Sequence, residues 1–93
     1  GFGSKKKKVR EMLENGQFDI LVQEAIKDKK VLRALVELLD DPNPGVVGDV
    51  LLTFTQILEA DRNALRDYMD EASFKRLMSL IHSRNPYIRE NAM

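Results

Sequence analysis

Few residues in this chain have the types that do chemistry, and their spacing is unhelpful to it. The one histidine, His82, lies beside Ser79 and Ser83, and acidic pairs occur at Asp40-Asp41 and Asp70-Glu71. One histidine with no Glu-x-x-His or His-Glu partner cannot build a His-based metal centre. The absence of cysteine removes disulfides, thiolate chemistry and Cys-built zinc sites. There is no Gly-rich phosphate loop, nucleophile elbow or EF-hand spacing. The acidic pairs precede Pro42 and Ser73, where Asp ordinarily forms turns and caps helices. His82 falls near a helix end, where its cation would suit the C-terminal dipole. The residues therefore predict no catalytic group, no metal and no cofactor, hence not an enzyme.

Charge is the next possible carrier of function. The chain has 93 residues with 15 basic and 15 acidic side chains, so a single small domain without a global field is expected. The local exception is Lys5-Lys6-Lys7-Lys8, extended by Arg10. Its plain reading is a solvated helix start; its functional reading is phosphate binding. Glu11 and Glu14 follow at once, whereas nucleic-acid footprints spread basic residues along a face. Further on, Arg62, Arg66, Lys75 and Arg76 are interleaved with Asp61, Asp67, Asp70 and Glu71. No apolar run approaches the roughly 18–20 residues that cross a bilayer, and no secretory segment is seen. An intracellular, cytoplasmic location is expected, with the nucleus left open.

The elements that would position these residues read as helices throughout. Gly1-Phe2-Gly3-Ser4 reads as a linker or remnant outside the fold, and residues 5–93 as one domain. Val9, Met12 and Leu13 mark a first helix ending at Gly16, a natural residue just past a helix end. Phe18, Leu21, Val22, Ala25 and Ile26 mark a second, and Leu32, Leu35, Val36 and Leu39 a third. After the turn at Asp41-Pro42-Asn43-Pro44, Val47, Val50, Leu51, Phe54, Ile57 and Leu58 give the longest stripe. Asn43 is placed to cap this helix, and Pro44 sits where its missing N–H costs nothing. Leu65, Tyr68 and Met69, then Phe74, Leu77, Met78 and Ile81, mark two more. A last helix is expected from Asn85-Pro86. No stretch alternates as a strand would.

A shift of 42 residues superimposes the pattern on itself. Leu35 falls on Leu77, Val36 on Met78, Leu38 on Leu80 and Leu39 on Ile81. Asn43-Pro44 falls on Asn85-Pro86, and Val46 on Ile88; earlier, Val9 falls on Leu51 and Met12 on Phe54. Periods in this range signify stacked units that cannot bury their apolar faces alone.

On these residues the chain resembles the armadillo repeat family and the related HEAT repeats. Residues 43–84 look like one long helix, one short helix and a third ending in a Leu-Leu-like pair. The resemblance implies an all-α, right-handed α-solenoid of about two repeats plus a partial one, cut from a longer array. It also implies a non-enzymatic protein–protein interaction or scaffold module. The chain departs from the family at Ala72 and Lys30, where armadillo repeats usually have Gly. It departs again at Gln56 and Leu52, and at Glu14 and Arg10, where the peptide-binding Asn and Trp would stand. The Asp-to-Arg pair of HEAT arrays would be Asp41 and Arg89.

A helical wheel places Gly45, Asp49, Leu52 and Gln56 opposite the core stripe. The repeat puts Lys7, Asp49 and Asn91 in one row, Arg10 with Leu52 in a second, and Glu14 with Gln56 in a third. These seven residues form the expected partner face, with Leu52 the apolar side chain at its centre. The expected core comprises Val47, Val50, Leu51, Phe54, Ile57, Leu58, Leu77 and Ile81. A protein or peptide partner is expected, besides neighbouring repeats of the same parent chain. Two rival readings remain: a nucleic-acid-binding module using Lys5–Arg10, or a structural segment of a larger assembly.

Overall fold

A computed structural model of the chain describes residues 2–84, with side chains described from 5 to 83. The order is α1 (Phe2–Glu14), α2 (Phe18–Lys27), α3 (Lys29–Leu38), α4 (Pro44–Ala60), α5 (Arg62–Tyr68) and α6 (Glu71–Arg84). There is no strand among the described residues. Residues 2–4, read above as outside the fold, continue into α1. The expected helix from Asn85-Pro86 lies outside the described residues.

Local chemistry explains where each helix stops. α1 ends at Gly16, whose φ of 70° is the left-handed conformation. The Gly16 N–H donates to the Leu13 carbonyl at 3.1 Å and the Gln17 N–H to the Met12 carbonyl at 2.9 Å. This paired closure satisfies carbonyls that the helix leaves open, and glycine adopts its geometry without a Cβ clash. Asp28 serves two helices. Its N–H closes α2 on the Glu24 carbonyl, and its Oδ1 accepts the Lys30 N–H that opens α3. Asp61 repeats the device between α4 and α5, with its N–H on Ile57 and its Oδ1 on the Asn63 N–H. One extended residue thus turns the chain sharply in each case. Asn43 caps α4 through the Gly45 N–H at 2.9 Å, with Pro44 at the first turn.

α4 is the central element: it packs against each of the other five helices. α1 packs on α2 and α3, and α4 packs on α5 and α6. The fully enclosed side chains include Leu21, Leu35, Leu38, Val50, Phe54, Ile57 and Leu65. Of the expected core, Val50, Leu51, Phe54, Ile57, Leu77 and Ile81 are buried. Val47 and Leu58 are half-buried at its edge.

Val46 and Thr53 take the remaining buried places on α4. The buried stripe is therefore rotated toward Val46 and Thr53 from the face read off the sequence. Thr53 is tolerated there because its hydroxyl donates to the Asp49 carbonyl at 2.8 Å, leaving no unpaired polar atom. In α3, Val31, Ala34 and Leu38 are buried while Val36 and Leu39 reach only the rim. A further link between α5 and α6 is the Arg66 guanidinium, 5.6 Å from the centre of the Phe74 ring.

Candidate functional site

The side chains singled out above distribute over α1 and α4, which lie against each other. On α4, Asp49, Leu52 and Gln56 are all half-buried, not fully open. The rotation of the buried stripe explains this for Asp49 and Gln56, which stand beside Thr53 at its margin. Leu52 differs from the other half-buried apolar residues of α4, because it does not pack against the core cluster as Val47 and Leu58 do. Among the described residues it has no partner in the core cluster. Partial burial raises the pKa of the Asp49 carboxyl by making its ionised form harder to solvate. Gly45 and Gly48 lie exposed on the same helix, and a Cβ at Gly48 would meet open space.

On α1, Arg10 and Glu14 are joined: the Arg10 Nη1 lies 2.9 Å from Glu14 Oε1. Arg10 also reaches across the fold, with its Nε donating to Asp41 Oδ2 at 3.0 Å. The Asp41 side chain is only 8% exposed, and its Oδ1 accepts the Asn43 N–H at 2.9 Å. The hydrogen bond from Arg10 and the one from the Asn43 backbone hold the Asp41 carboxyl below the usual aspartate range. The same contact raises the pKa of Arg10. Asp41 therefore finds its cation in α1. Arg89, which the HEAT resemblance paired with it, lies outside the described residues, as do Asn91 and Ile88.

Lys7 is exposed on α1. Lys5, from the same run, lies 3.8 Å from Asp28 at the α2–α3 joint. Local sequence marks 27–30 as a polar break between two helices and does not place Lys5 beside it. The available signal was the capping Asp within a lysine cluster, but nothing local says which helix will lie across it.

A more apolar surface occurs on the other flank of α4. Val36 of α3 and Leu39 just past its end, Val47 and Leu51 of α4, and Leu77 and Leu80 of α6 line an opening of about 400 Å³. Asp40 and Arg76 stand among its lining residues. His82 lines a separate opening between α4, α5 and α6, with Leu58, Phe74 and Met78. Among the described residues no three His, Asp or Glu side chains converge where an ion could be held. No described helix is long and apolar enough to cross a membrane.

The fold defines an all-helical domain with one central helix. No protein-family model matches the chain, and searches of curated proteins and of solved structures likewise return no match.

Proposed function

We propose that this chain is a non-enzymatic protein–protein interaction module of armadillo or HEAT type, binding through the outer faces of α1 and α4. The two helices are related by the 42-residue shift, and they lie against each other with equivalent neighbours. α1 meets α2 and α3 as α4 meets α5 and α6, which is the arrangement that stacked units require. The radius of gyration, 12.3 Å, matches the roughly 12 Å expected of a compact chain of this length. Two units at this size make a short stack, without an open superhelix of their own.

The observation that carries the reading is Leu52. It is half-exposed, without a core partner among the described residues, and flanked on its face by Asp49 and Gln56, with Arg10 and Glu14 on the neighbouring helix. An apolar centre inside a polar rim is the usual anatomy of a small contact site. The glycines at 45 and 48 keep the adjoining surface low. Within this reading the chain's further partners are neighbouring repeats of the same parent protein, and its place is inside the cell.

Affinity capture from lysate of the source cells provides the test, with native chain, Leu52→Glu and Leu80→Glu compared side by side. Leu52→Glu is expected to lose specifically retained proteins while its helicity and melting temperature stay close to native. Retention unaffected at position 52 but lost at position 80 would move the site to the groove between α3, α4 and α6. A melting loss at position 52 comparable to that of a core truncation would sink the assignment of faces.

A further inference from the structure

A local surplus of positive charge is assembled by the fold from two separate stretches. Lys5 Nζ lies 3.8 Å from Asp28 Oδ2, which sets the Lys5–Lys8 run against Lys27-Asp28-Lys29-Lys30. Together the two stretches carry seven lysines and one aspartate. That aspartate is already engaged, since its other oxygen accepts the Lys30 N–H at 2.9 Å. Lys6 is half-buried and acts on Asp41 instead. Lys7, Lys8, Lys27, Lys29 and Lys30 remain exposed with no ion pair among the described residues.

Five like charges at one end repel, and two of them, Lys29 and Lys30, also oppose the backbone. Lys29 and Lys30 occupy the first turn of α3, and the Lys5–Lys8 run lies in the first half of α1. Cations in the first turn of α3 add to the positive end of its dipole, whereas Lys27 in the last turn of α2 suits its own. Apart from Asp28, no described group within these stretches offsets that cost, whereas an external polyanion would. The chain's net charge of zero places the compensating acidic surplus elsewhere, so the molecule would approach a polyanion by this end.

We propose that the joint end of α1 and the α2–α3 turn binds the phosphate backbone of double-stranded nucleic acid without reading its sequence. The residue types choose among polyanions. Lysine is a mobile point charge that suits a row of phosphates, while planar pairing with protein carboxylates favours arginine. The exposed lysines here have no arginine among them in either stretch. Among the side chains described in these two stretches, residues 5–8 and 27–30, there is no aromatic ring on which unpaired bases could stack. Among the described residues the one large apolar side chain that is openly exposed, Ile20 at 53%, stands in the first turn of α2, away from its Lys27 end. A membrane surface would be better served by apolar groups beside the charges. This proposal is independent of the Leu52 face.

The test is fluorescence anisotropy with short labelled duplexes of unrelated sequence, using the whole chain. Binding is expected to be equal across sequences and to weaken on the order of a hundredfold between about 50 and 200 mM NaCl, as displacement of counterions from about four phosphates predicts. The triple variant Lys27→Gln, Lys29→Gln, Lys30→Gln and the double variant Lys7→Gln, Lys8→Gln should each weaken binding on the order of tenfold, with unchanged melting. Lys75→Gln on α6 should bind as the native chain does. Acylation of lysines in the native protein gives a readout that needs no variant: Lys7, Lys8, Lys27, Lys29 and Lys30 should be protected by duplex, and Lys75 should not. A triple variant that binds normally, protection confined to one stretch, or salt-insensitive binding would overturn the joint site. Capture by vesicles containing phosphatidylserine with no retention of duplex would replace nucleic acid with a membrane surface.

Discussion

Arg10 makes two ion pairs at once, one along its own helix to Glu14 and one across the fold to Asp41. The first lies among exposed groups and adds little, as such pairs generally do. The second differs because Asp41 is nearly enclosed and also receives the Asn43 N–H. The pair therefore pins α1 to the turn that launches α4. Its pH dependence follows from the depressed pKa of Asp41. Stability from this group is fully present above the ordinary aspartate range, near 3.9, and is lost as pH falls through the lower folded value. Arg10→Gln should accordingly lower the melting temperature at neutral pH, and its deficit should shrink in strong acid. Thermal melts at the two pH values decide the matter; an equal deficit at both would mean that Arg10 acts through packing of its stem. Asp49 carries the opposite sign, since its raised pKa makes ionisation a cost to the fold at neutral pH.

The helices owe their boundaries to single residues that no distant part of the chain needs to support. Gly16 and Gly48 separate two consequences of the same residue type. At Gly16 the backbone is left-handed, and nothing crowds the position, so the cost of a side chain there is conformational. Gly16→Ala should destabilise by about 1–2 kcal/mol. Gly48 lies within α4 facing open space, where alanine restores helix propensity. Gly48→Ala should stabilise by about 1 kcal/mol. Chemical denaturation of both variants checks the pair. Shifts of the same sign would show that one of the two backbone assignments is wrong. Asp28 and Asp61 act similarly as shared caps, which explains how α2 can join α3, and α4 join α5, through a single residue.

At the scale of the whole molecule, α4 is the common wall on which the other helices lean. Phe54, fully enclosed at its middle, is the largest side chain in the core. Phe54→Ala should cost about 3–5 kcal/mol, a large share of what a domain of this size possesses. Loss of a cooperative melt is the expected outcome in calorimetry. A variant that melts within a few degrees of native would show that α4 is not the wall described. The same centrality bears on partners, because a helix that touches every other one leaves only a narrow strip of itself to a partner. Leu52 occupies that strip.

Much of this was legible in the residues alone. Apolar periodicity of about 3.6, a glycine after Leu13-Glu14-Asn15, and an Asn-Pro pair before a long apolar stripe are local signals, and local physics decides them. They suffice for an all-helical reading, for most helix boundaries and for Val50, Leu51, Phe54 and Ile57 as core. The expected stripe missed Val46 and Thr53, because which edge of a helix is covered depends on where its neighbours lie. Polarity argued against Thr53, and only the bond to the Asp49 carbonyl makes its burial inexpensive. The pairing of Asp41 with Arg10, and of Lys5 with Asp28, was equally invisible, since charge acts through distances that the chain order does not encode. Leu52 stands between these cases. Its spacing placed it off the core stripe, and the packing of the other helices around α4 left it half-buried, without a core partner among the described residues. Helices were written in short-range pattern; the two surfaces with functional promise were made by which helices came to lie side by side.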